Sequence, residues 1–210
     1  MIKSKDEFYE NDLESLSFDI ADPNNIVVVE DFISHSDIDE IYKYCYSINY
    51  WESQSPGRHD KVHTAKAMKE NSPETSFLMQ KYVDKLQQEI EFKFGRPVEP
   101  AFPGIRRWDE GDWQGVHADG EDYDGTPNST YVVDYGSVIY INDNYVGGEI
   151  FFPSYGIEFK PKPGTLIFFP SSKYYMHGVR KIKSGVRYTS PHFWVPVKHR
   201  KLIEIAKNQQ

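Results

Sequence analysis

The sequence predicts a mainly-β fold with flanking helices, an α+β chain in which two N-terminal helices pack outside a β-sandwich or jelly roll. Three observations carry this. Before residue 95, two stretches repeat apolar residues at helical spacing. After Pro100, short strand-like runs alternate with Gly, Pro and Asp turns, the texture of a closed or sandwiched antiparallel architecture. The chain has 210 residues, of which 39% are hydrophobic and 15% aromatic, enough apolar mass for one packed core. Residues 1–24 read as a polar, loosely ordered lead-in, and residues 25–210 as a single domain.

The elements follow in order. Residues 26–29 form a short β-branched strand. Ser34 caps the first helix, with Asp37 at N3 as a weaker capping box. Ile38, Ile41, Tyr42, Cys45 and Ile48 form its buried stripe. Residues 52–66 are polar, contain Pro56-Gly57 and read as a loop. His59 and His63 lie four apart there, but no helix is signalled to bring them together, so both read as ordinary histidines. Ser72 and Pro73 open the second helix, Leu78, Tyr82, Leu86, Ile90 and Phe94 line it, and Gly95 stops it. Strands are expected at 104–108, 116–118, 137–142, 149–152, 156–159, 165–169, 177–179 and 187–195, and a short helix at 202–206.

Charge and cysteine content exclude several classes. Lys and Arg number 24 against 32 Asp and Glu, so the net charge of −8 argues against a partner held through nucleic-acid phosphates. The lone Cys45 permits no intrachain disulfide and no Cys-rich zinc module, and reads as a small apolar residue on a buried helix face. The start Met-Ile-Lys-Ser-Lys-Asp-Glu has no apolar signal region, and the longest apolar runs, 26–29 and 166–169, are far short of a membrane span. A soluble, cytoplasmic setting is expected, with no membrane partner. Oligomeric state is not legible.

The chemistry concentrates at His117-Ala118-Asp119. In a strand, residues i and i+2 share a face, so an imidazole and a carboxylate converge. With His177 they make a two-histidine, one-carboxylate facial triad, which leaves open positions and suits non-haem Fe(II) oxygen chemistry. Ten residues past His177 stands Arg187. A buried arginine there needs an anionic partner, and a dicarboxylate would supply one. Thr189 faces the same side and can add a hydroxyl. His-x-Asp alone also fits ordinary polar residues of a jelly roll. A cupin-like metal- or sugar-binding module without redox chemistry would explain the triad, but not a basic residue placed ten past the distal histidine.

Residues from about 100 to 196 resemble the catalytic core of 2-oxoglutarate- and Fe(II)-dependent oxygenases, in the prolyl 4-hydroxylase-like branch. The matching pieces stand in order: Trp108-Asp-Glu-Gly111 before His117-Ala-Asp119, then Tyr140-Ile-Asn-Asp143, Gly147-Gly-Glu149, Pro161-Lys-Pro-Gly-Thr-Leu-Ile-Phe168, Met176-His-Gly-Val179 and Gly185-Val-Arg-Tyr188. The resemblance implies a double-stranded β-helix core. It implies that His117, Asp119 and His177 are the catalytic Fe(II) ligands. It implies that Arg187 binds the distal carboxylate of 2-oxoglutarate while Trp108 and Thr189 line the cosubstrate pocket. The implied reaction consumes O2 and 2-oxoglutarate, gives succinate and CO2, and hydroxylates a substrate C–H bond, with ascorbate as an optional reductant. Retention of Asp119 favours hydroxylation over halogenation.

The substrate expected from the resemblance is a prolyl residue of a peptide or protein. The alternative is a small molecule or another side chain. Three departures bear on that choice: Arg187 where this branch usually has lysine, Ile150 where it has threonine, and Phe193 where a peptide-contacting tryptophan usually lies. Strand parity sends Phe193 to the site as a substrate contact and Trp194 away from it. The acidic stretch 120–129 reads as a solvated loop or as a lid selecting a cationic or amide-rich substrate. Lys173, Arg180, Lys181 and Lys183 read as a solvated turn, Tyr174 and Tyr175 as packing residues, and His192 and His199 as ordinary surface or strand histidines.

Overall fold

A computed structural model describes residues 21–53, 60–101 and 104–197. The expected helix at 202–206, His59, His199 and most of the N-terminal lead-in lie outside these residues. The end of the lead-in is anchored, because Tyr175 Oη accepts from Asn25 Nδ2 at 3.0 Å and donates to the Asp22 carbonyl at 3.2 Å.

After β1 (Val27–Val29), helix α1 (His35–Ser47) starts where Ser34 Oγ accepts from the Asp37 amide at 3.3 Å. The expected reciprocal bond from Asp37 is made differently. Tyr82 Oη accepts from the Ser34 amide and donates to Asp37 Oδ2 at 2.6 Å, so the cap is closed by the neighbouring helix. Residues 52–66 are not a loop throughout. They contain strands β2 (Glu52–Ser53) and β3 (Lys61–Thr64), and Thr64 caps a third helix, α2 (Ala65–Asn71). The expected two N-terminal helices are therefore three among the described residues. The extra one buries only Met68, so it carries no apolar stripe for the sequence to reveal. Helix α3 (Pro73–Phe94) begins at the Ser72 cap and ends at Gly95 in the left-handed region, as its residues predict.

The remaining strands are β4 (Val98–Ala101), β5 (Gly104–Trp108), β6 (Gln114–His117), β7 (Tyr135–Tyr140), β8 (Val146–Gly147), β9 (Ile150–Phe152), β10 (Ile157–Phe159), β11 (Leu166–Pro170), β12 (His177–Val179), β13 (Ile182–Ser184) and β14 (Arg187–Pro196). All pairings are antiparallel. A large sheet runs β1-β11-β7-β14-β5-β3-β2, with β4 also on β14, and a smaller one runs β10-β9-β12-β6. Strands β8 and β13 form a separate ribbon, so part of the expected basic turn is strand. Two sheets facing each other with helices on one side make the expected double-stranded β-helix.

Alternation along the large sheet decides what faces the helices and what faces the smaller sheet. Ile105, Ile139, Leu166, Phe168, Tyr188 and Trp194 join the core shared with α1 and α3. Tyr140, Ile167 and Phe169 point the other way and pack with Ile150 and Phe152 of the smaller sheet. Cys45 is fully buried in the helix core, and burial pushes its thiol pKa up, consistent with its reading as a small apolar residue.

His192 departs from the surface placement considered for it. It lies on the helix-facing side of β14, is 1% exposed, and its Nε2 sits 2.9 Å from Ser190 Oγ. Burial lowers its pKa from 6.5 to about 4. A lowered folded-state pKa means the unfolded chain takes up the proton first on acidification. The stabilisation is therefore complete above about pH 6.5 and is lost as pH falls towards 4. We predict that His192→Leu flattens the pH dependence of unfolding between pH 7 and 3 by about 3 kcal/mol. Urea melts at stepped pH would show this; parallel curves for variant and wild type would refute it.

Candidate active site

Strands β6 and β12 pair with His117 directly opposite His177, and their rings lie 4.4 Å apart between centroids. Asp119 reaches the same point by a route the sequence did not suggest. Strand β6 ends at His117, so Asp119 sits in the bend beyond it rather than two places along the strand. There its Oδ1 is 3.5 Å from His117 Nε2. Its Oδ2 occupies the space above Gly136 of β7, where a Cβ would lie 2.1 Å away. The donor atoms of His117, Asp119 and His177 all fall within 4.8 Å of one another, the only such group among the described residues.

Hydrogen bonds fix the orientation of both imidazoles. Nδ1 of His117 lies 3.0 Å from the Gly115 carbonyl, and Nδ1 of His177 lies 3.2 Å from the Tyr175 carbonyl. A carbonyl only accepts, so Nδ1 carries the proton in both rings and each Nε2 is the lone-pair nitrogen; that of His117 accepts from Gln114 Nε2 at 3.1 Å, a bond a metal there would replace. Burial, with the nearby His117 adding to it, lowers the His177 pKa to about 4 and keeps the ring neutral near pH 7. Two imidazole nitrogens and one carboxylate, with open positions, fit Fe(II).

The second pole of the site is Arg187, the first residue of β14, paired with Trp108 of β5. It is 2% exposed, and its guanidinium carbon lies 5.2 Å from the Trp108 ring centre and 5.1 Å from that of Tyr140. Its Nε and Nη1 are buried without a hydrogen-bond partner, as are the hydroxyls of Tyr140 and Tyr145. Burial pushes the Tyr140 phenol up to about 12, opposed by the Arg187 charge, although neither hydroxyl reaches hydrogen-bonding geometry with the guanidinium. Buried donors this numerous around a cation are costly without an anion. A carboxylate gripped at two points satisfies them. Thr189 Oγ1 accepts from Trp108 Nε1 at 3.3 Å and completes this wall.

Both poles open on one cavity between the sheets. Arg187, Thr189, Pro191 and Phe193 all line it, and the ladder to β7 runs unbroken through Pro191. Phe193 therefore faces the site as parity predicts, while Trp194 turns away and donates to Ser137 Oγ at 2.8 Å. Ile150 lines the cavity too. Beyond Phe193 a wider cleft opens past Glu121, Asp122, Tyr123 and Asn128.

Several placements were missed by the sequence reading. Arg106 lines both spaces and pairs with Asp60 at 3.5 Å, with side chains only 11% and 7% exposed. Its shared parity with Trp108 on β5 was a usable signal; nothing in the sequence marks Asp60. His63 is an ordinary buried histidine, as expected, with Nε2 2.8 Å from Tyr44 Oη. Arg180 does not simply face solvent: it binds Glu158 and stacks 3.8 Å over the Phe151 ring.

Residues 103–195 match the family model of the 2OG-Fe(II) oxygenase superfamily, and the fold and donor set fit a 2-oxoglutarate-dependent dioxygenase that uses Fe(II) and O2. No curated protein matches the sequence. Among solved structures, a prolyl hydroxylase from Trichoplax adhaerens, in complex with a hypoxia inducible factor peptide fragment, superposes with a TM-score of 0.69 at 16% identity, covering 96% of this chain and 97% of that one. The viral collagen prolyl hydroxylase of Paramecium Bursaria Chlorella virus-1, a 2OG complex, gives 0.63 at 17% identity over 85% and 99%. HygX from Streptomyces hygroscopicus, with nickel, 2-oxoglutarate and hygromycin B bound, gives 0.60 at 13% identity over 82% and 83%. No described helix is long and apolar enough to cross a membrane.

A buried guanidinium whose Nε and Nη1 have no hydrogen-bond partner in the fold costs stability. Arg187→Met is expected to raise the stability of the cosubstrate-free protein by about 1–3 kcal/mol, read as a higher urea midpoint. A lower midpoint would mean that Arg187 is already satisfied by the fold.

Proposed function

We propose that the protein hydroxylates a prolyl residue of a peptide or protein, with His117, Asp119 and His177 holding Fe(II) and Arg187 holding the distal carboxylate of 2-oxoglutarate. The observation that carries the assignment of residues is the convergence, on one cavity, of a two-nitrogen, one-oxygen donor set and a buried guanidinium with unsatisfied donors. When bound, Fe(II), 2-oxoglutarate and O2 supply the oxidative decarboxylation that drives hydroxylation. The chain does the rest. The Gly115 and Tyr175 carbonyls hold the two imidazoles in one tautomer. Arg187 orients the cosubstrate, and Trp108 and Thr189 fix its wall. Ile150, Phe169 and Val179 give the space between the poles an apolar wall.

A peptide substrate is supported by the wide cleft that leads outward from the triad past Phe193 and Tyr123. Phe193 would contact the bound substrate. The small-molecule alternative draws support from Glu121 and Asp122 on the cleft wall, which suit a cation, and from the hygromycin B bound to HygX.

Succinate release measured against prolyl peptides, free amino acids and cationic small molecules separates the two. Peptide-dependent succinate with a mass gain of one oxygen supports the prolyl reading. Stimulation only by a small cation replaces it with the alternative. Asp119→Ala is expected to abolish turnover, and full activity without this carboxylate would overturn the ligand assignment. Arg187→Ala is expected to raise the 2-oxoglutarate requirement at least tenfold, about 1.4 kcal/mol. An unchanged requirement would remove Arg187 from its role.

A further inference from the structure

The stretch 120–130 connects the triad to the strand-bearing core, and it is built neither as a free solvated loop nor as a detached lid. Glu121 and Pro127 form an antiparallel bridge across it. Its far end folds back on the chain that carries Asp119. Thr130 Oγ1 lies 2.6 Å from the Asp119 carbonyl and 3.0 Å from Asn128 Oδ1. A hydroxyl has one proton, and the shorter contact takes it. Asn128 Nδ2 reaches the same Asp119 carbonyl at 3.3 Å and the Glu121 carbonyl at 3.2 Å. Asn128 Oδ1 in turn accepts from the Thr130 amide at 2.8 Å, so the two residues brace each other.

The need for such a brace follows from where Asp119 lies. Strand β6 stops at His117, and its ladder to β12 holds His117 but not Asp119. The two imidazoles are thus set by sheet pairing, whereas the carboxylate hangs on a bend. Its backbone is fixed instead by side chains of this loop and by the adjacent Gly120 amide, which donates to the Ser171 carbonyl at 3.0 Å; its Oδ2 is seated over Gly136, which leaves no room for a Cβ. Groups that orient a metal ligand typically change metal affinity 10- to 100-fold when removed.

We propose that Thr130 and Asn128 are positioning residues that clasp Asp119 against Gly136, so that loop 120–130 sets the metal affinity of the site. The inference rests on the reading of His117, Asp119 and His177 as the metal site. It has a functional consequence. Glu121, Asp122, Tyr123, Asn128 and Thr130 also line the open cleft. An occupant of the cleft that tightens the loop tightens the metal, and by linkage the metal tightens the occupant by the same factor.

The test is Mn(II) titration of the full chain in the presence of 2-oxoglutarate, with free ion read by electron paramagnetic resonance. It is accompanied by thermal melts of the metal-free proteins. Thr130→Val and Asn128→Ala are expected to raise the Mn(II) dissociation constant about tenfold or more. Thr130→Ser, which keeps the hydroxyl, is expected to stay near wild type, and the metal-free melts to be little changed. Gly136→Ala leaves both clasp side chains in place and fills the carboxylate's seat, so it too is expected to weaken Mn(II). Unchanged affinity in the Thr130 and Asn128 variants overturns the clasp. So does a loss of affinity that Thr130→Ser fails to rescue, or one matched by a collapse of the metal-free melts. If wild type binds no Mn(II), the metal-site reading fails and the inference falls with it; wild-type binding with unchanged variants overturns the inference alone.

Discussion

Strand β14 has to serve two environments at once, and the site depends on that. It is bounded by β7 on one side and by β4 and β5 on the other, so its side chains can go only to its two faces. One face sends Tyr188 and Trp194 into the core shared with the helices. The other sends Arg187, Thr189, Pro191 and Phe193 into the cavity. A slip of one residue would exchange the two sets, burying the guanidinium under α1 and α3 and placing Trp194 in the cavity. The hydrophobic demand of the helix layer thereby fixes the register of the polar residues. The cost of a buried, unsatisfied arginine is carried by a core that has no other way to pack.

The two poles of the site are held by different means. The large sheet supplies the basic pole, where Arg187, Trp108 and Tyr140 come from adjacent strands. The smaller sheet supplies the imidazoles through the direct pairing of His117 with His177. The carboxylate is supplied by neither ladder, and hangs instead from a bend tied down by Thr130 and Asn128. The three donors are therefore held by different kinds of bond. The residues that hold the carboxylate also wall the open cleft.

Much of this was legible because it rests on short-range chemistry. Ser34, Ser72 and Gly95 marked helix ends, and alternation along 187–195 assigned Phe193 and Trp194 to opposite faces. The triad residues converge as spacing and resemblance suggested, but the reason offered for Asp119 was a strand parity it does not use. What stayed hidden depends on distant partners. Helix α2 and strand β3 each bury a single residue, Met68 and His63, so neither leaves a periodic trace. Asp60 becomes a cavity residue only because β3 pairs with β5 and brings it to Arg106. His192 looked like a strand histidine, and only the packing of β14 beneath the helices makes it one of the most buried residues.

The central claim is that the donor triad and Arg187 form one site for Fe(II) and 2-oxoglutarate together. Anaerobic titration of the metal-free protein, read by visible absorption, addresses it most directly. The account predicts a metal-to-ligand charge-transfer band that needs both Fe(II) and 2-oxoglutarate and disappears in His177→Ala. Fe(II) binding with no such band on adding 2-oxoglutarate would contradict it, and would leave a metal-binding module that does not use this cosubstrate.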